Sequence, residues 1–191
     1  VALLPDAPEA RGMLALMLYT EARRAARRGP DGAYVPLEAQ AINRWDDSLI
    51  AEAEALLRAA SKGGPSGRYQ LEAAIQSAHI ARRRTGADTW PAIVALYEHL
   101  LTLTGSPVVA LNRAVALAEV AGPAAGLAAL APLAADKRLA NYQPYWAARA
   151  ALLARADQPA EAREAFTRAI GLTRDDAVRQ YLARARNQLA N

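Results

Sequence analysis

The sequence predicts an all-α fold, antiparallel helical hairpins stacked as a right-handed solenoid or bundle, and three observations predict it. Apolar residues recur at i, i+3 and i+4 along nearly the whole chain, the period of a helix with one buried side. No stretch shows the strict alternation of a strand. The last third contains an internal repeat offset by 36 residues, and a period in the thirties marks a solenoid of helical pairs. Composition agrees. About a quarter of the residues are alanine, and of 23 basic residues only Lys62 and Lys137 are lysine. Alanine and arginine are both strong helix formers.

The elements follow in order. In the opening segment Met13, Leu14, Met17, Leu18 and Ala22 fall on one side, and Arg23, Arg24, Arg27 and Arg28 gather at the C-terminal end, where cations suit the macrodipole. "GPDGAYVP" (29–36) is a turn-rich break. Asp46 or Asp47 caps a helix whose apolar side is Leu49, Ile50, Ala53, Leu56 and Leu57. "SKGGPSG" (61–67) is the strongest loop signal. The helix after it turns Leu71, Ala74, Ile75 and Ala78 inward, and "RRRTGAD" (82–88) ends it. Asp88, Thr89, Trp90 and Pro91 start another, carrying Ile93, Leu96, Tyr97 and Leu100. Ser106 then stands as N-cap with Pro107 at the first helical position, where a missing N–H costs nothing.

Aligning "RAVALAEVAGPAAGLAAL" (113–130) with "RAALLARADQPAEAREAF" (149–166) pairs Arg113 with Arg149, Ala114 with Ala150, Leu117 with Leu153, Ala118 with Ala154, Pro123 with Pro159 and Leu130 with Phe166. Each copy reads as helix, tight turn, then a helix opened by proline. The second resembles a tetratricopeptide repeat (TPR): Trp146, Ala162, Phe166 and Ala169 take its large, small, large, small positions, while Arg174 stands where that pattern has proline. Alanine at a helix crossing lets two backbones approach, and the ring fills the wedge beside it. The repeats span 105–191. Whether the helices of 1–104 are further repeats or an irregular bundle stays open, and the whole reads as one continuous domain.

Composition and motifs exclude several chemistries. With no cysteine there is no disulfide, thiolate metal site or thiol nucleophile. No run approaches the roughly 18 consecutive apolar residues of a membrane span, no signal-peptide pattern is present, and the expectation is a soluble, cytoplasmic protein. The net charge of +4 is modest, and arginines alternate with acids. His79 and His99 sit on separate helices without a Gly-x-Ser-x-Gly elbow or a metal-ligand cluster, so His79 reads as a satisfied, partly buried histidine and His99 as an exposed one. "SKGGPSG" lacks the ending and the preceding strand of a phosphate loop. No enzyme, cofactor or metal site is expected. "LTLTGSPVVALNRAVALAEV" can be drawn as helix, turn, helix, but Val108, Val109, Leu111, Val115 and Leu117 suit burial rather than base edges. The arginines at 23–28 and 82–84 read as solvated helix ends, so direct DNA contact is not expected. Trp45, Trp90 and Tyr69 lie near helix starts and read as packing residues.

Partner binding is the remaining class. In TPR-like stacks the first helix of each pair lines a groove, which makes Asn112, Arg113 and Arg149 candidate partner-binding residues. An arginine fork favours a carboxylate; the alternative is pairing with local acids or helix ends. "LLPDAPEARGMLALMLYTEARRAAR" (3–27), "YQLEAAIQSAH" (69–79) and "SPVVALNRAVALAEVAGPAAGLAAL" (106–130) together resemble the C-terminal, TPR-like extension of bacterial RNA polymerase sigma factors of the extracytoplasmic-function type. "RWDDSLIAEAEALL" (44–57) and residues 142–173 fit the same pattern. The resemblance implies a regulatory role in promoter-dependent transcription, with the region 2 and region 4 domains of such a factor preceding this segment and absent from it. The implied partners are those domains, the polymerase core or a regulatory protein. The other reading is a stand-alone TPR-like scaffold for an acidic peptide.

Overall fold

A computed structural model of the chain describes residues 7–189; positions 1–6 and 190–191, which include the start of the 3–27 stretch, lie outside the described residues. Among the described residues the regular structure is nine α-helices and four short 3-10 turns, with no strand. The fold is all-α. The chain divides into two compact units, residues 7–31 with 35–104 and residues 32–34 with 105–189.

The first unit holds α1 (Pro8–Ala22), α2 (Asp47–Ala60), α3 (Arg68–Thr85) and α4 (Trp90–Thr104). The apolar side expected for α1 is corrected: Met13 and Met17 are 45% and 56% exposed. The buried stripe is Gly12, Ala15, Tyr19 and Ala22. Close approach is the reason. Helix α1 packs against both α2 and α3; Gly12, Ala15 and Ala22 let its backbone come near two neighbours, and Tyr19 is buried along the same stripe. A Cβ on Gly12 would stand 2.7 Å from the backbone nitrogen of Gln70.

The start of α3 is capped from a distance. Gly67 stands at its N-cap and has no side chain to offer the free amides. The Glu9 carboxylate of α1 accepts from Tyr69 N at 3.1 Å and Gln70 N at 3.2 Å instead. Gln70, itself buried, accepts from Gly67 N at 3.0 Å and donates to the Ala60 carbonyl at 3.1 Å, tying α3 to the end of α2. The cap of α2 is Asp46, which accepts from Ser48 N and Leu49 N, each at 3.0 Å. Gly86 ends α3 in the left-handed conformation at φ 74°, which favours glycine there. Asp88 accepts from Trp90 N at 3.2 Å as α4 begins.

Of the arginines expected as solvated helix ends, Arg24 is exposed beside Glu21, while four others are placed otherwise. Arg23 is buried; it hydrogen-bonds the Gln76 side chain and reaches the Tyr19 carbonyl at 3.4 Å. Burial, then the neighbouring Arg27, lowers its pKa to about 10. Arg82 donates to both carboxylate oxygens of Glu38, Arg83 donates to the Gln40 carbonyl at 3.0 Å and Arg84 pairs with Asp47. These three pin the loop between α1 and α2, together with the first residue of α2, onto α3. The pinning encloses Trp45, which is 5% exposed and donates to the Gln40 side chain at 3.2 Å. Trp90 is covered by the Arg82 guanidinium 4.6 Å from its ring centre, and Tyr69 lies half-buried under Arg68.

The second unit holds α5 (Pro107–Ala121), α6 (Pro123–Leu130), α7 (Gln143–Arg155), α8 (Pro159–Leu172) and α9 (Asp176–Asn187). Helices α5 and α7 begin 36 residues apart, and so do α6 and α8, so the repeat read from the residues is a repeat of helical hairpins. Ala114 and Ala150 are both fully buried. Gly126 and Ala162 occupy the closest crossings, and a Cβ on Gly126 would lie 2.6 Å from that of Ala118. Leu130 and Phe166 are buried beside them. Glu119 and Arg155, themselves repeat-equivalent, form an ion pair that ties α5 to α7. The turn of the first hairpin uses Gly122 at φ 87°, and that of the second uses Asp157 at φ 57°, one of the few non-glycine residues that tolerate this region. Helix α9, capped by Asp175, buries Leu182 against α8 and shows solvent a polar outer side, as terminal elements of solenoids do.

Candidate functional site

The second hairpin carries a groove of about 670 Å³ between α7 and the outer side of α8. Trp146 and Arg149, one turn apart on α7, form one wall. Glu161, Glu164, Ala165 and Arg168, at i, i+3, i+4 and i+7 on α8, form the other. Trp146 fixes the geometry. Its indole Nε1 donates to the Ala140 carbonyl at 3.0 Å, and Tyr145 meets it edge to face at 5.2 Å. The Arg168 guanidinium stacks 4.4 Å above the indole and donates to the same Ala140 carbonyl at 3.1 Å. One carbonyl therefore holds both the ring and the cation that covers it.

Charge in the groove is mixed. Arg163 donates to the Leu189 carbonyl at 3.1 Å. Arg149 is half-buried and, among the described residues, makes no hydrogen bond or ion pair. Glu161 and Glu164 are exposed and likewise pair with no cation. An arginine without a partner offers its planar guanidinium to a carboxylate with bidentate geometry.

Of the three residues predicted from sequence, only Arg149 lines this groove. Arg113 is half-buried at the equivalent position of α5 and engages another group of the chain, and Asn112 is exposed on α5. Trp146 was read only as a packing position, while the acids of α8 and Arg168 were not singled out at all. The signal lay in the repeat. The positions of Trp146, Glu161, Arg163, Glu164 and Arg168 correspond to Ala110, Ala125, Leu127, Ala128 and Pro132 in the first copy. Only the second hairpin carries charge on its second helix.

The histidines behave differently from each other. His99 is exposed on α4. His79 is partly buried, edge-on to Trp90 at 5.4 Å, but its buried Nδ1 has no hydrogen-bond partner. The expectation of a satisfied histidine is corrected on that point. Burial, then Arg82 and Arg23, pushes its pKa down to about 4, with Glu38 opposing. It is neutral at pH 7. Among the described residues no group of three or more His, Asp or Glu is placed to hold a metal ion. None of their helices is long and apolar enough to cross a membrane.

Known proteins add the following. Residues 1–61 match a family of unknown function, DUF6596. No solved structure matches the chain. Over 188 residues, 98% of its length, the chain is 39% identical to an uncharacterized protein of Rhizobium meliloti (strain 1021). It spans 44% of the length of that relative.

Proposed function

We propose that this chain is a regulatory, protein-interaction region of a bacterial RNA polymerase sigma factor, acting in the cytoplasm on the factor's own promoter-binding domains or on the polymerase core. The observation that carries the reading is which helix sides are left for contact. Helix α5 would be the reading helix of any helix-turn-helix drawn at 101–120, and it buries Val109, Leu111, Ala114, Ala116 and Ala118. The arginines of the first unit end largely on groups of their own unit, whereas the α7–α8 groove offers a cation without a partner. Glu161 and Glu164 line the same groove and repel a polyanion, which favours a protein over a nucleic-acid backbone. The family resemblance supports the assignment to transcription. The extent of the match supports a module of something longer, since more than half of the relative lies outside it.

In vitro transcription by the full factor, with and without this region, tests the proposal. Promoter-dependent transcript yield is expected to change several-fold on deletion; an unchanged yield removes the regulatory reading. A second reading, a stand-alone TPR-like scaffold for an acidic peptide, is favoured by Arg149 alone. Capture of an acidic partner that survives Arg149→Ala removes its arginine version.

A further inference from the structure

We propose that the α7–α8 groove receives a partner helix of mixed charge, which sets a carboxylate between Arg149 and Arg168 and a basic side chain, one helical turn along, beside Glu161 and Glu164. The inference deepens the protein-interaction reading and rests on it.

Three observations converge. Arg149, Glu161 and Glu164 line one groove and none has an ionic partner. Arg168 is held in place by the indole of Trp146 and the Ala140 carbonyl, so its remaining N–H groups are already oriented. The hairpin is antiparallel, which sets Trp146 beside Arg168 and brings Arg149 level with Glu164 and Ala165; Glu161 lies a further turn away. Arg163 also lines the groove, with its guanidinium engaged by the Leu189 carbonyl; the remaining charges are basic at one end, Arg149 and Arg168, and acidic at the other, Glu161 and Glu164, over two turns of α8, about 10 Å. A purely acidic peptide meets repulsion from Glu161 and Glu164, and a purely basic one from Arg149 and Arg168. A helix with Glu and Lys four residues apart satisfies both ends, and its aliphatic stems cover Ala165 and the indole edge. The first hairpin, uncharged along α6, offers no such pattern.

The indole N–H resonance of Trp146, assigned with Trp146→Phe, reports occupancy in the 191-residue chain. Blocked alanine-based helical peptides carrying Glu/Lys, Glu/Glu, Lys/Lys or Gln/Gln at positions four apart serve as probes. The Glu/Lys peptide is expected to shift the resonance saturably, at least tenfold more tightly than Gln/Gln, with weakening in salt. Arg149→Gln removes that advantage. The double variant Glu161→Gln with Glu164→Gln reverses the ranking in favour of Glu/Glu. Absence of a shift with every peptide at millimolar concentration, an equal shift with Gln/Gln, or a shift with duplex DNA alone overturns the proposal. The parent reading fails separately. If deletion still alters transcription while no peptide binds, the groove is wrong and regulation stands; if peptides bind but deletion changes nothing, the reverse holds.

Discussion

In the first unit Arg23, Arg82, Arg83 and Arg84 all end on groups of that same unit, a glutamine, two carboxylates and two backbone carbonyls. In the second unit Arg149 ends in an open groove with nothing to hold. Both sets lie on alanine-rich helices and look alike as sequence. The first unit uses guanidinium groups as struts for a loop of 3-10 turns that has little core of its own. The second is braced by repeated alanine crossings; Arg155, Arg163 and Arg168 are engaged there as well, and Arg149 is left available. An arginine's role is set by what the packing around it still lacks.

Substitutions at six positions test that contrast, the last two as a pair, taken from the largest effect down. Gly12→Ala forces a Cβ against the Gln70 backbone and is expected to cost about 2–3 kcal/mol, overpacking outweighing the gain in helix propensity. Urea unfolding followed by tryptophan fluorescence measures it, since Trp45 and Trp90 report the first unit. A loss below about 0.5 kcal/mol would mean that α1 can shift away from α3, and that the buried stripe is looser than the overpacking argument requires.

His79 sets a pH dependence. Its folded pKa of about 4 lies below the ordinary value of 6.5, so the unfolded chain binds the proton first. Stability from this group is present above pH 6.5 and is lost as pH falls toward 4, a change on the order of 3 kcal/mol. The difference between the wild type and His79→Gln across that window isolates it; parallel curves would contradict the buried, neutral imidazole.

Glu9→Ala removes the remote cap of α3. A cost of about 1 kcal/mol is expected, with faster amide exchange at Tyr69 and Gln70 as the local signature. Gly171 on α8 has open space around its Cβ position, so Gly171→Ala should stabilise by about 0.5–1 kcal/mol. It is a counterpart to Gly12 within the same substitution type. Arg149→Gln should change stability by less than about 0.5 kcal/mol, whereas a comparable change at Arg83 releases the Gln40 loop and should show a measurable loss in thermal unfolding. Equal losses at both positions would erase the contrast.

Much of this architecture is legible without coordinates. The break at 61–67, a cap at Asp46 or Asp47, the start at Trp90 after Asp88 and the 36-residue offset are readable in the residues; all stand in the structure, with Asp46 as the cap. The side of α1 did not follow, because hydrophobicity favours the methionines while close packing favours glycine and alanine. The cap of α3 by Glu9 was also invisible, since donor and acceptor are about 60 residues apart. In the groove Arg149 was found through its repeat partner. Glu161, Glu164 and Arg168 were missed because each alone is an ordinary charged residue on a helix surface.

Periodicity, prolines at first turns and glycines at last turns already dictate that this chain is helical and where most helices begin and end, because those signals act between residues close in sequence. Which arginines become struts and which is left in a groove was decided only when distant segments met. Burial, and the partners available at the point of burial, are properties of the packed molecule and not of any stretch of it.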